Sequence, residues 1–345
     1  MTLRPCHPFA FCFLLLFAVF AGVFPLEVAG ALPRAATASS QNVNLNEVFL
    51  QWKLTRVALA PSVTQWKNQW ISVDVEPNKS YLIINNTRVF TGLPVRLGKG
   101  GANFLSRLDF DNALLPIIAP RNTRDAPARR VYHVLIDPGH GGTDLGRINK
   151  TGMSEKMLNL DVARRLKFIL ERKKIKVTLT RETDVTIPLE KRAAMAKKIG
   201  ADLFISIHFN AAENAAEASG IETFVLPPRG QRSTNDTSRD TRTLYTRYNG
   251  HLNNQWNVLL GYHVHAALTG RLKATDRGLR RARFHVLREN TCPAVLVECG
   301  FLSNQTEARL INQALHREKI AQGLADGIVR YQTIVGKLAA PARKI

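Results

Sequence analysis

Of the 345 residues, 48 are Lys or Arg and 27 are Asp or Glu, a formal net charge of +21, and 45% are hydrophobic. This composition excludes a disordered, collagen-like or disulfide-scaffold chain and leaves one large or two modest domains with a core of useful size. Gly and Pro, at 22 and 16, are ordinary counts, and no solenoid or propeller repeat is present.

Arg4 precedes an apolar run from Phe9 to Phe24 and then small residues, the layout of a secretory signal over residues 1–30. Val28-Ala29-Gly30 offers a cleavage site after Gly30, and Ala36-Thr37-Ala38 a second. The competing reading is an uncleaved anchor, against which the run is shorter than the roughly 20 residues of a membrane span. Export to the periplasm or cell envelope is therefore expected. Removal of residues 1–30 takes away Arg4 and Glu27, which cancel, so the charge of +21 belongs to the mature chain. Such a charge concentrates anionic polymers in a salt-sensitive way, or it is simply a solvated surface. An exported protein meets cell-wall polymer and lipid headgroups first, and no nucleic-acid partner is expected without a binding motif.

Cys6 and Cys12 fall in the signal, leaving Cys292 and Cys299. An extended stretch between them spans roughly 20 Å, whereas a disulfide needs Cα atoms about 4.4–6.8 Å apart. Two free, buried thiols are expected, and without a C-x-x-C spacing no thiolate metal site.

After a polar stretch from Pro33 to Asn46, residues 47–120 form a small module, α+β or mostly β. Ile71–Val75, Tyr81–Ile84 and Arg88–Phe90 read as strands, Asn85-Asn86 as a turn, and Ser106–Ile118 as a short helix running into irregular structure. The module is either a wall binder or a spacer without a ligand. Residues 121–130, with four Arg and Pro127, form a polar linker.

Over residues 131–334 the pattern becomes strands alternating with longer helices. Strands are expected at Val131–Ile136, Ile175–Thr180, Leu203–Ile207, Ile221–Leu226, Phe284–Leu287 and Ala294–Val297. Helices are expected at Ser154–Arg172, Pro188–Ile199, Asn253–Leu268 and Gln305–Tyr331. Leu158, Val162, Leu166 and Ile169 share one face of the first helix. The pattern predicts an α/β fold with a mixed, mostly parallel sheet and helices on both faces. The stretch Pro227–Gly250, with five Arg and two Asp, is a mobile segment beside the cleft or a simple insertion. Residues 335–345 read as a loose basic tail.

Three predicted strands end in residues able to bind a metal or a proton: Asp137-Pro138-Gly139-His140-Gly141-Gly142, Ser206-Ile207-His208-Phe209-Asn210 and Val297-Glu298-Cys299-Gly300. Ligands of open α/β sheets bind at the carboxyl ends of strands, so these groups can converge. Glu155 opens the helix after the first strand, where a carboxylate suits the helix dipole. Two imidazoles and a carboxylate form the donor set of a catalytic zinc site, and the remaining carboxylate can serve as base. Strand alternation lets Glu298 face a cleft while Cys299 packs inward. His263 and His265, in one predicted helix, read as surface or packing residues, as do His133 and His285.

These four motifs, Leu135–Gly142, Ser154-Glu155-Lys156, Ser206–Ala211 and Pro293–Asn304, resemble the zinc-dependent N-acetylmuramoyl-L-alanine amidases of bacterial cell walls. Asp276-Arg277-Gly278-Leu279 and Phe284–Arg288 also match. The resemblance covers about residues 131–334 and implies that His140, Glu155 and His208 bind Zn2+ and that Glu298 is the catalytic base. It implies hydrolysis of the amide between N-acetylmuramic acid and L-alanine in peptidoglycan, for wall remodelling or daughter-cell separation, by a monomer. Phe209 and Cys299 stand where smaller or aliphatic residues are usual. Segment Pro227–Thr275 falls where some members carry a helix that blocks the site until an activating protein releases it. The rival readings are a zinc peptidase of the stem peptide and an inactive wall-binding protein.

Overall fold

A computed structural model describes residues 41–339, apart from residues 61, 126, 151, 213–216 and 239–240. The expected signal and residues 340–345 of the expected tail lie outside the described residues. The first part comprises β1 (Asn42–Asn44), α1 (Leu45–Gln51), β2 (Thr55–Ala60), β3 (Val63–Lys67), β4 (Ser72–Val75), β5 (Tyr81–Ile84), β6 (Thr87–Phe90), β7 (Arg96–Leu97), β8 (Asn103–Ser106), α2 (Arg107–Asp109) and α3 (Leu115–Ile118). The second comprises β9 (His133–Pro138), α4 (Glu155–Arg172), β10 (Lys176–Leu179), α5 (Leu189–Ile199), β11 (Leu203–Asn210), β12 (Ile221–Val225), α6 (Asn254–Leu272), β13 (Asp276–Arg281), α7 (His285–Arg288), β14 (Ala294–Phe301), α8 (Gln305–Ile311) and α9 (Ala314–Leu338).

Eleven strands form one mixed sheet in the order β10-β9-β11-β14-β12-β13-β6-β5-β4-β3-β2, and β1-β8-β7 form a small second sheet. The strands from β10 to β14 run parallel, β12 opposes β14, and β13 and β6 follow β12 in parallel. From β6 to β2 the pairing is antiparallel throughout. Strand β9 is buried along its whole length, as expected for a central parallel strand with helices over both faces. Helices α4, α6 and α9 pack together and against the sheet. On the other face Ala196, Val286 and Leu287 join Leu135, Phe204 and Leu296 in a second cluster.

Three expectations are corrected. Phe284–Leu287 is not a strand: His285–Arg288 is helix α7, because a four-residue apolar run carries no period that separates the two states. The closing helix is two, broken after Ile311, where Asn312 ends α8 and Gln313 starts α9. The loose tail begins later than residue 335, since α9 runs through Leu338 and buries Val335. Of the two readings given for His263 and His265, packing holds: both are buried in α6, which is apolar or packed almost all round.

The first part is joined to the second by the sheet itself. Val89 of β6 pairs with Leu279 of β13, and the Arg88 amide donates to Asp276 Oδ2 at 2.6 Å. The Tyr262 hydroxyl of α6 donates to the Ile84 carbonyl at 3.2 Å. Arg124 and Asp125 of the expected linker are held as well: the Gln255 amide donates to Asp125 Oδ2 at 2.6 Å, and the Gln255 side chain accepts from the Arg124 and Asp125 amides. Asn85 and Asn86 turn β5 into β6 with φ of 45° and 63°, the left-handed pair that a tight hairpin requires. Cys292 and Cys299 are free and buried. Among the described residues no helix is long and apolar enough to cross a membrane.

Candidate metal centre and active site

The first candidate donor is carried on a loop braced from beneath. Buried Asp137, at the end of β9, accepts from Thr180 Oγ1 at 2.7 Å, Ser206 Oγ at 2.9 Å and Arg192 Nη1 at 2.7 Å. Arg192 also donates to the carbonyls of Pro138 and His140 at 2.9 and 2.7 Å, and Arg181 to those of Pro138 and Gly139 at 3.1 and 2.9 Å. Asp137 is thus spent on holding the loop. His140 takes φ of 61°, followed by Gly141 at 132° and Gly142 at 58°, so the chain turns sharply around the imidazole.

Glu155 is the centre of the cluster. Its Oε1 lies 3.1 Å from His140 Nε2 and 3.0 Å from His208 Nδ1. The same oxygen accepts the Phe209 amide at 3.1 Å, and Oε2 accepts the Arg147 amide at 3.0 Å. One donor atom from each of His140, Glu155 and His208 falls within 4.8 Å of the others, a spacing suited to a single metal ion. Burial alone raises the Glu155 carboxyl, but the hydrogen bonds and charges of His140 and His208 outweigh it and hold the group well below the carboxylate range. For His140, burial lowers the imidazole while Glu155 and Asp144 raise it further, so the net direction is upward. Asp144 Oδ2 lies 2.8 Å from His140 Nδ1, the carboxylate–imidazole contact that orients metal-bound histidines.

Two glycines make room for the donors. A Cβ at Gly139 would lie 2.1 Å from His208 Cε1, and one at Gly146 2.6 Å from Glu155 Oε2 and 2.7 Å from His140 Cδ2.

His208 and Glu298 are register partners in the parallel ladder of β11 and β14. Glu298 is half-buried, but its Oε2 is fully covered and has no hydrogen-bond partner. Burial, and then the charges of Glu155 and Glu222, push its carboxyl well above the usual range. Across the antiparallel ladder stands Glu222. Its carboxylate accepts from Asn210 Nδ2 at 2.9 Å and from Arg277 Nε at 2.9 Å, with Arg280 Nε at 3.4 Å. The Arg277 guanidinium lies over the Phe301 ring, 4.9 Å from its centroid.

The donor chemistry fits a zinc ion: two imidazoles and a carboxylate converge, the carboxylate is already shared between the imidazoles, and a covered carboxyl oxygen beside them lacks a partner. All four residues singled out in the sequence are therefore brought to one place. Sequence reading missed Asp144, Gly146 and Glu222, and it quoted Gly139 and Arg277 inside matching motifs without giving either a contact at the donors. Asp144 follows His140 by four residues, and Glu222 is an isolated charge inside the apolar run Ile221–Val225. Either signal was available.

The other histidines lie elsewhere. His265 packs between β12 and β13, with Nδ1 3.0 Å from Thr223 Oγ1 and Nε2 2.8 Å from Asp276 Oδ1. His133 Nε2 lies 2.9 Å from Thr178 Oγ1, and His285 opens α7. The helix in segment 227–275 is α6, a core helix against α9, β12 and β14, so it is not a cover over the donors. From this segment Gln231 reaches the first part instead, its buried Nε2 donating to Asp109 Oδ1 at 3.3 Å.

Residues 134–330 match the N-acetylmuramoyl-L-alanine amidase family. Over 57% of this chain, the protein is 35% identical to N-acetylmuramoyl-L-alanine amidase AmiA of Escherichia coli K12, covering 75% of that protein. It is 34% identical to N-acetylmuramoyl-L-alanine amidase CwlM of Bacillus licheniformis, over 57% of this chain and 67% of that one. Among solved structures, an N-acetylmuramoyl-L-alanine amidase from Clostridium difficile 630 is 33% identical, with 59% of this chain and 98% of that chain covered and a TM-score of 0.49. With more than half of its length matched, the chain belongs to the N-acetylmuramoyl-L-alanine amidases, enzymes that hydrolyse peptidoglycan.

Proposed function

We propose that the protein is a zinc-dependent amidase that cuts between N-acetylmuramic acid and L-alanine, with His140, Glu155 and His208 as metal ligands and Glu298 as the base. The observation that carries this reading is the convergence of the three donors beside a covered, unpartnered Glu298 Oε2. Zinc held there supplies Lewis-acid activation of a water and of the scissile carbonyl. Glu298 Oε2 accepts the proton of the attacking water and delivers it to the leaving amine of L-alanine. Asp144 fixes the His140 ring through Nδ1 and so keeps Nε2 aimed at the centre. Glu222, neutralised by Arg277 and Arg280, adds less negative potential at Glu298 than a bare carboxylate would.

On this reading the protein is exported to the periplasm or cell envelope, its partner is peptidoglycan, and it works as a monomer on wall remodelling or cell separation. Residues 47–120 are a module fused to a catalytic region of 131–334 through segment 121–130. An activating protein, if one is used, acts on an element other than α6.

Mass spectrometry of the products from a purified muropeptide tests this, with zinc content measured on the same sample. Intact stem peptide beginning at L-alanine, lost on chelation and restored by zinc, is the expected result. Shortened stems would mean a peptidase, and no cleavage by zinc-loaded protein would count against the enzymatic reading of this site.

A further inference from the structure

A cavity of about 720 Å³ lies between the first part of the chain and the loop Gly230–Arg232. It is far from the catalytic cluster. Glu298 pairs with Glu222, near the start of β12, whereas the cavity walls follow the carboxyl ends of β12 and of β6. Strands β12, β13 and β6 are parallel, so those ends face the opposite side of the sheet from the metal donors.

The charged groups of this cavity are unevenly satisfied. Asp109 is buried and spent inward, accepting from the amides of Gly92 and Leu93 at 2.6 and 3.1 Å, from Ser106 Oγ at 2.6 Å and from Gln231 Nε2. Asp111 is paired with Arg107 at 3.7 Å and with Arg124 at 3.5 Å. Arg96 sits on an exposed strand and has no side-chain partner among the described residues, and Arg232 donates to the carbonyl of Ser238. Among the described residues, two guanidinium groups at the cavity wall therefore have no carboxylate partner.

Gln231 adds a second demand. It is 3% exposed, its Nε2 is used by Asp109, and its Oε1 is covered with no partner. A buried acceptor without a donor is unfavourable, so a ligand amide that meets it after a small turn of the Gln231 side chain is favoured. Leu93, Leu108 and Leu244 supply apolar wall, and among the described residues no Phe, Tyr, Trp or His lines the cavity to stack on a sugar or base.

We propose that this cavity is a second binding site, remote from the catalytic cluster, for an acidic peptide of the wall polymer. A peptide amide meets Gln231 Oε1, a carboxylate meets Arg96 and Arg232, and small apolar side chains rest on the leucines. The inference takes from the amidase reading only the source of the peptide. The site would hold the polymer at one end of the sheet while a linkage is presented at the other.

The test is calorimetric titration of the full chain with stem peptides already released from peptidoglycan by a known amidase. The same peptides with amidated carboxylates serve as the neutral control. These probes carry no muramoyl amide, so binding is read without turnover, and failure to bind is separate from failure to hydrolyse. The acidic peptides should bind in a salt-sensitive way, and the double variant Arg96→Glu, Arg232→Glu should weaken them by about tenfold or more. Leu93→Trp, at an exposed position on the cavity wall, should block them without relying on charge. Equal affinity for the amidated peptides, unchanged affinity in both variants, or no binding at millimolar peptide would overturn the assignment.

Discussion

Glu222 stands opposite Glu298 across the antiparallel ladder of β12 and β14, and of the two carboxylates only Glu222 has guanidinium partners among the described residues. The Glu298 carboxyl is raised by burial first and by the charges of Glu155 and Glu222 after it. Removing a cation from Glu222 therefore raises it further. In Arg277→Gln, the acid limb of the pH–rate profile should move to higher pH by about one unit, because a base of higher pKa is protonated sooner as pH falls. A limb that stays in place would show that Glu222 is not felt at Glu298.

Substitution of the base and of the ligands should separate chemistry from metal binding. Glu298→Gln keeps the three donors and should retain zinc while turnover falls by about 10²–10⁴. His140→Ala and His208→Ala should lose both. Metal analysis beside product release distinguishes the classes, and a Glu298→Gln protein with native turnover would remove Glu298 from the role of base.

Gly139 offers a test that replaces no donor. Its φ is not in the left-handed region, so alanine there brings only a methyl group, 2.1 Å from His208 Cε1. The ring must shift, and Gly139→Ala should lower zinc affinity by about 10–100-fold, as loss of support around a metal ligand does. Competition with a chromophoric chelator measures it, with circular dichroism showing that the fold is kept.

Buried His263 should make the protein acid-sensitive. Burial, and then the charge of Arg330, lower its imidazole to about 3 from the ordinary 6.5. The native state holds it neutral, while the unfolded chain takes up a proton below pH 6.5. This stabilising contribution is complete above that value and lost as pH falls towards 3, about 2–3 kcal/mol of it between pH 7 and 4.5. Urea unfolding at those two pH values should show a smaller acid loss in His263→Leu than in the parent chain. Equal losses would mean that the residue is protonated inside the fold.

The site was more legible than the frame around it. The four motif residues lie at strand ends and a helix start, where a glycine-flanked His or a charge after an apolar run stands out locally. Glu222 and Asp144 had local signals too, but their roles depend on which strand lies beside which, and pairing across the sheet leaves no mark in sequence order. Strand β2 escaped notice because it is exposed on both faces, so no alternation develops. Strand β13 reads Asp276-Arg277-Gly278-Leu279-Arg280-Arg281, and its buried Arg281 is opposite to what burial predicts. Helix α7 failed for the reverse reason, an apolar run too short to carry a period.

The pairing of β6 with β13 bears on how this enzyme can be cut down. Proteolysis or cloning just before Val131 would cut where the described residues 123–130 hold no helix or strand and would leave the family-matched residues intact. Such a fragment would expose the hydrogen-bonding edge of β13, and an unpaired edge is a template for any available strand. A truncated chain starting at Val131 should therefore self-associate increasingly with concentration, because strand β6 and its neighbours cover that edge in the full chain.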